Sequence, residues 1–500
     1  MSGNRQSKQE QKDAAELAAV EKISSEIPCL FHDAEERSWA NVLDKGHYET
    51  YAIDSPDMRR LLEGLYYNET KRNSSRGQEL PDKLLKKMLG LLRVTALHDG
   101  EEKKVSLRVG ADNTRILYID LCDKQRRVVR ISPAGWELID QPPVFFRRTH
   151  YMMPLPIPER GGSPDELAPF LNTSPELFVL VKGFLLTALR PTGPYPLMVL
   201  IGPAGSAKST FTKILRDLTD PNSNPYSGSP HDGRDLRVAA LRSHVLAYDN
   251  LGKLSPEVSD ALCRQATGAG NTERQYHTNN KEIRFPYVAN PIILNGITEF
   301  VTRPDLLDRS IILHLEHIDS KRTEAALTRE YNAKRGRIFA GMLDLMVQGC
   351  ANLPSVRSES SIRMVEAIKW CEACGLTDFE KCYTQTLAGN NQAIIENNIL
   401  GRGIVALMEK QERWTGIMQG LQKTLGELGF ELKKEPSELS NDLREIAHAL
   451  HNGHGIKVQF LKRKAHGRPI EISKVPSCPS SPSSTEGDGD KDDGHDGAKP

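Results

Sequence analysis

The strongest constraint in this chain is the stretch LMVLIGPAGSAKST, which ends at Thr210. An unbroken apolar run, Leu197 to Ile201, reads as a strand buried on both faces, and a helical pattern opens directly after the polar residues that follow. Between strand and helix lie Gly202, Pro203, Ala204, Gly205, Ser206, Ala207, Lys208, Ser209 and Thr210. The amides of such a loop, backed by a helix N-terminus, can surround phosphate oxygens. The lysine reaches the β and γ oxygens, and the serine hydroxyl holds magnesium. These nine residues are the candidate site for ATP and Mg2+. One departure matters. The pattern G-x-x-x-x-G-K-[ST] has glycine where this chain has Ala207, and alanine fits less readily if that position needs a positive φ.

A phosphate loop alone does not separate a kinase from a motor, so the residues downstream decide. The segment HVLAYDN places Asp249 at the end of an apolar strand, forty-one residues beyond Lys208, where a carboxylate joins Ser209 in holding the metal. The next residue is Asn250. An amide there can orient a water but cannot take its proton at neutral pH. A third apolar run, PIILNGI, ends in Asn295, placed to sit between the phosphate-side strands and hold an attacking water. In RPDLLDRSIILHL a short helix ends in Arg309 before a further strand; an arginine projecting from the domain edge there can reach a neighbour's γ-phosphate, with Arg303 as the second candidate. Lys208, Asp249, Asn250, Asn295 and Arg309 form the expected catalytic set. A small-molecule kinase has no evident use for Asn295, Arg309 or the basic C-terminal module.

The order of Gly202–Thr210, Asp249, Asn295 and Arg309 resembles the AAA+ core, and its span of about a hundred residues from Ser209 to Arg309 is similar to that of superfamily 3 helicases. LCRQATGAG, RQYHT, PIILNGI and TRPDLLDRSIILHL are similar to primase-helicase-type ATP-binding proteins of phages and bacterial mobile elements. That resemblance implies an ATP-dependent helicase or translocase on single-stranded or forked DNA, working as a homo-oligomeric, hexameric ring in replication. It also implies that Arg274 and Lys281 reach DNA from a hairpin with Asn279-Asn280 at its tip. An ATP-controlled DNA-binding switch with slow hydrolysis, suggested by Asn250, is the competing expectation.

At 500 residues the chain is long enough for two to four domains. A loose helical leader is expected over 1–45. An N-terminal α+β domain with an antiparallel meander follows at 46–155, and Pro154 to Pro164 reads as a linker. The α/β, AAA+-like P-loop core is expected at 165–318 and a helical segment at 319–389. The 390–475 module reads as winged-helix-like: Leu439, Leu443, Ile446, Ala447 and Leu450 share a helix face, and a hairpin carries Lys462, Arg463 and Lys464 at its turn. Those three lysine and arginine residues are the candidate phosphate contacts of that module.

The formal charge is zero, but the last fifteen residues hold six acids against two lysines, so the rest of the chain is net basic. The 476–500 tail, rich in Ser, Gly and Asp, is expected to be disordered. The N-terminus has no apolar core of a secretory signal, and the greasiest stretch, Leu177 to Leu189, is too short for a bilayer and contains Lys182. A cytoplasmic protein without membrane partners is expected. Cys371 and Cys374 form a CxxC without a second pair, which reads as small side chains packed on one helix face.

Overall fold

A computed structural model describes residues 18, 20, 22–72, 76–268, 272–274, 282–284, 289–319, 322–357, 362–462 and 468–474. The strand Leu197–Ile201 has all five side chains buried. A strand that apolar needs cover on both faces, and it receives it at the centre of a four-stranded parallel sheet. Ile292–Gly296 pairs with it on one side and Ser310–His314 on the other, and Leu246–Leu251 lies beyond Ile292–Gly296. Parallel pairing puts the C-terminal ends of all four strands on one edge of the sheet. The loop at Gly202, the acid at Asp249 and the turn at Gly296 therefore meet there.

The helix Lys208–Thr219 follows the central strand and turns Phe211, Ile214, Leu215 and Leu218 onto the sheet. Helix Pro256–Thr267 begins at Ser255, whose hydroxyl accepts from the Val258 amide, and has Pro256 in its first turn. Helix Glu324–Asn352 is 29 residues long and buries Ile338, Phe339, Met342, Leu343 and Met346.

The chain divides into two units, 1–390 and 391–500. Within the first, strands Cys29–His32, Ser38–Asp44 and His47–Ala52 form an antiparallel sheet packed with helices Pro56–Arg72 and Asp82–His98 around Met58, Leu62, Leu85, Met88 and Leu92. Residues 29–32 and 38–44, expected as part of a helical leader, are strand, and Phe31, Trp39, Ala40 and Val42 are their buried side chains. The meander Val109–Ala111, Leu117–Asp120, Val128–Ser132 and Gly135–Ile139 is antiparallel as expected. Val105–Ser106 leaves it and pairs in parallel with Phe145–Phe146.

Ile119, Leu121, Val129, Ile131 and Trp136 of the meander share one core with Phe184, Leu200, Phe339 and Trp370. The Pro154–Pro164 segment between them is therefore a packed strap in place of a free linker. Leu155 is buried and its amide donates to the Leu121 carbonyl. Glu159 donates its amide to Gly336, Arg160 stacks 3.9 Å over the Trp136 ring, and Ser163 closes a capping box with Glu166.

One buried ion pair ties these parts together. Arg108 and Asp220 have no exposed side-chain surface, and the Arg108 Nε donates to Asp220 Oδ1 at 3.0 Å. The guanidinium also donates to the carbonyls of Asp120, Met153 and Pro221. Asp220 Oδ2 accepts from the amides of His244 and Val245. Burial alone would raise the Asp220 carboxyl, but Arg108, Arg216 and His244 outweigh it and hold the group below its usual range.

Cys371 and Cys374 are buried, and burial pushes both thiols up. The second unit holds helices Ile399–Lys410, Met418–Glu427 and Pro436–His454 with a three-stranded antiparallel sheet, Arg413–Gly416, Ile470–Lys474 and Ile456–Phe460 in that order. Leu439, Leu443, Ile446, Ala449 and Leu450 form its long helix's buried face; Ala447 is only half-buried. Among the described residues no helix is long and apolar enough to cross a membrane.

Candidate functional site

The loop after Leu197–Ile201 is shaped by close packing. An added Cβ at Gly202 would lie 2.5 Å from the Leu315 carbonyl oxygen, so only glycine lets the central strand end there. Gly205 has φ +85°. Ala207, immediately before the helix, has φ 63° and ψ 26°, a left-handed conformation that the missing glycine would have adopted freely. The sequence departure therefore falls where the backbone does require a positive φ.

Lys208 opens the helix and folds back onto its own loop. Its ammonium donates to the carbonyls of Gly202 at 2.7 Å and Pro203 at 2.8 Å, and to Ser206 Oγ at 3.3 Å. Partial burial lowers its pKa, with Asp249 acting in the opposite sense. One helical position on, Ser209 Oγ donates to Asp249 Oδ2 at 2.7 Å. The other carboxylate oxygen, Oδ1, accepts from Asn295 Nδ2 at 3.1 Å and from the Asn250 amide at 2.9 Å. Thr212 Oγ1 completes the chain by donating to Asn295 Oδ1 at 2.9 Å. Hydroxyl, carboxylate, amide and hydroxyl thus form one relay whose donors and acceptors match throughout.

Local structure explains each placement. The Asp249 amide donates to Ser227, which covers the outer side of that strand. Register then shifts between Tyr248 and Leu251, and Asn250 takes φ 57°, a bulge that asparagine tolerates better than most residues. The bulge leaves Asn250 exposed beside Asp249. A cavity of about 450 Å³ lies in front, lined by Gly205, Lys208, Ser209, Thr210, Asp249, Asn250 and Ile297 among others. That volume lies in the range of about 300–1,000 Å³ typical of small-molecule sites.

Asn295 departs from expectation. It has no exposed surface, both ends of its amide are engaged, and it stands behind Asp249, away from the cavity lining. Its contacts orient the acid, and its burial keeps it out of the cavity where an attacking water would stand. Thr212 is the residue that sequence reading missed; it is a buried polar side chain in the helix that follows the loop, which also buries Arg216 and Thr219.

Arg309 was expected to project from the domain edge and does not. Its side chain is 16% exposed and its guanidinium donates to the Asp305 carbonyl, with the Asp305 carboxylate 3.8 Å away. Its Nε is buried without a hydrogen-bond partner among the described residues. It precedes Ser310–His314, on the sheet edge opposite the Gly202 loop, about 16 Å away at a strand's rise per residue. Arg303 is more exposed, at 35%, and pairs with Asp260 at 3.0 Å.

Of the expected DNA contacts, Lys462 is exposed after the Ile456–Phe460 strand. Arg274 ends the short strand Thr272–Arg274, paired with Glu282–Arg284. Lys281, Arg463, Lys464 and the Asn279-Asn280 tip lie outside the described residues, as does the 476–500 tail.

The fold is mixed α/β with a parallel sheet, and its glycine-lined loop, lysine and paired hydroxyl and acid converge on one cavity. Residues 165–385, less than half of the chain, match the family model described as actinomycete integrative conjugative element replication protein. No curated protein matches the chain. Among solved structures, the A-form apo C-terminal region of NrS-1 is 11% identical with TM-score 0.38, over 89% of this chain and 96% of that one. Another apo structure of that region is 10% identical with TM-score 0.38, over 89% and 95%. JCV helicase is 13% identical with TM-score 0.19, over 43% and 65%. These structural likenesses are loose, and nothing about the chemistry of this chain follows from them.

Proposed function

We propose that this chain is an ATP-binding, AAA+-like ATPase of the superfamily 3 helicase kind that acts on DNA in the replication of a mobile element. One observation carries the reading: Ser209 Oγ and Asp249 Oδ2 meet at 2.7 Å beside the Lys208 loop. A hydroxyl and a carboxylate so placed form a pair that can hold a divalent cation. The match of residues 165–385 to a family of replication proteins supports the biological setting.

In this reading Lys208 exchanges the Gly202 and Pro203 carbonyls for phosphate oxygens, a charge-assisted contact in place of two neutral acceptors. Ser209 and Asp249 hold Mg2+, which supplies neutralisation of charge on the phosphates. Asn295 and Thr212 fix the carboxylate. Asn250, exposed at the cavity, orients a water without taking its proton. Arg309 lies a strand length from its own loop, so any contact with a phosphate comes from a neighbouring subunit of a ring. Arg274, Lys281, Lys462, Arg463 and Lys464 are the proposed DNA contacts.

Asn250 also favours a second reading, an ATP-controlled DNA-binding switch with slow hydrolysis. Unwinding of a forked duplex measured beside single-turnover ATP hydrolysis separates the two. A translocase unwinds at a rate tied to turnover, whereas a switch changes DNA affinity with ATP and unwinds nothing.

A further inference from the structure

The loop between Gly202 and Lys208 is gripped from outside by a side chain that is not in the cavity lining. Asn172 follows the short helix Pro164–Phe170. Phe170 and Leu171, just before it, are buried in the core. Glu166 of that short helix pairs with Arg337 of the long helix Glu324–Asn352 at 2.9 Å. Asn172 therefore extends from a segment whose own position is fixed.

Its carboxamide nitrogen donates to the Ser206 carbonyl at 3.1 Å and to the Glu316 carbonyl at 2.7 Å. An amide nitrogen carries two N–H groups, and these two acceptors use both. Glu316 belongs to the segment that packs against the root of the loop. The Leu315 amide donates to the Ile201 carbonyl at 2.7 Å, and the Leu315 carbonyl oxygen is the atom that excludes a Cβ at Gly202. Gly202 is thus set against this segment by direct contact, and Ser206 is joined to it through Asn172.

Holding the Ser206 carbonyl fixes more than one atom. A trans peptide is planar, so its C=O and N–H point in opposite directions. The peptide that starts at the Ser206 carbonyl ends at the Ala207 N–H. Drawing that carbonyl toward Asn172 turns the Ala207 N–H to the other side of the loop, and Ala207 does line the cavity. Ser206 has no exposed surface, and its hydroxyl is used within the loop, donating to the Pro203 carbonyl at 2.9 Å. Ala207 is also the residue held at φ 63° without glycine's freedom. Alanine resists that conformation, so this is the peptide where an external hold matters most.

We infer, on the ATP-binding reading above, that Asn172 is a positioning residue for the nucleotide: it holds the Ser206–Ala207 peptide so that the Ala207 amide faces the α and β phosphates. It lies upstream of the loop and outside the G-x-x-x-x-G-K-[ST] pattern. A loop amide touches these phosphates before and during hydrolysis. Its placement therefore strengthens binding of substrate and transition state alike, and it shows in affinity and not in the rate at saturation.

The test uses the full chain, with calorimetric titration by ADP and magnesium beside single-turnover hydrolysis at saturating ATP. Asn172→Ala removes the two donors, and Asn172→Asp keeps the shape while facing oxygen toward two carbonyls. Asn172 is only half-buried, so both variants are expected to fold, and melting curves check this. Asn172→Ala is expected to raise the Kd for ADP about tenfold and Asn172→Asp at least as much, with unchanged stoichiometry and a saturated rate within about twofold of wild type. A merely structural role would instead lower the bound fraction or the saturated rate and leave Kd alone. That pattern, or a wild-type Kd in either folded variant, would overturn the assignment while leaving the Lys208 reading intact. Absence of any ADP or ATP binding by the wild type would remove the ATP-binding reading together with it.

Discussion

Asp220→Asn changes one atom in a fully buried position at the far end of the helix from the Lys208 cavity, and its effect follows from the bonds already described. Asp220 Oδ1 accepts from Arg108 and Oδ2 accepts from two backbone amides, so either orientation of an asparagine side chain points an N–H at another donor. The substitution also leaves Arg108, with no exposed surface, and Arg216, at 6%, without their carboxylate. Breaking a buried ion pair from one side costs about 3–5 kcal/mol. Three carbonyls still accept from Arg108, which argues against a larger figure. For a unit of residues 1–390 that corresponds to a fall in melting temperature of about 4–6 °C. The consequence reaches the site because Asp220 ends the helix that begins at Lys208 and grips the amides leading into the Asp249 strand. Thermal unfolding followed by tryptophan fluorescence, with Arg108→Met and the double variant alongside, measures both cost and coupling. A loss under about 1 kcal/mol in Asp220→Asn, or strict additivity in the double variant, would refute the reasoning.

Further outcomes are equally specific. Ala207→Gly relieves a left-handed alanine worth about 1–2 kcal/mol but adds about 0.5–1 kcal/mol of unfolded-state freedom, so its melting point should match or slightly exceed wild type; a clear loss contradicts the φ assigned there. Burial holds His244 below its ordinary pKa despite Asp220 and the Ala188 carbonyl, so unfolding favours proton uptake. Its contribution is whole above the unfolded value of about pH 6.5 and is lost as pH falls from there through the lower folded value. His244→Gln should flatten that part of the stability–pH curve relative to wild type. Asn295→Ala is expected to lower turnover more than ATP affinity and to cost about 1–3 kcal/mol of stability by stranding Thr212 and Asp249; unchanged turnover would remove its positioning role. Arg309→Ala should spare ATP binding and lower turnover, and mixing it with wild type should inhibit more than in proportion if it acts across subunits.

How far the sequence could be read followed the range of the interactions. Leu197–Ile201, the turn at Gly202 and the Lys208 helix declare themselves through contiguous residues, and the apolar runs ending at Asp249 and Asn295 do so as well. Those local signals were enough to name side chains that the fold brings to one place. The pairing of Arg108 with Asp220 spans 112 positions and has no local mark. The same holds for the shared core of Trp136 and Phe339, which turned an expected linker into a strap. Asn295 reads as a water ligand from its position in the chain. Its burial, and the hydroxyl of Thr212 behind it, become visible only once helix and sheet are packed.

Calorimetric titration of the full chain with ATP and magnesium, beside the Lys208→Ala variant, tests the proposed grip of loop and acid most directly. Wild type should bind one equivalent, gaining about 2.7 kcal/mol of stability at a hundredfold excess over Kd, and the variant should lose binding or turnover while keeping its fold. No affinity in the wild type, or full turnover in the variant, would contradict the account.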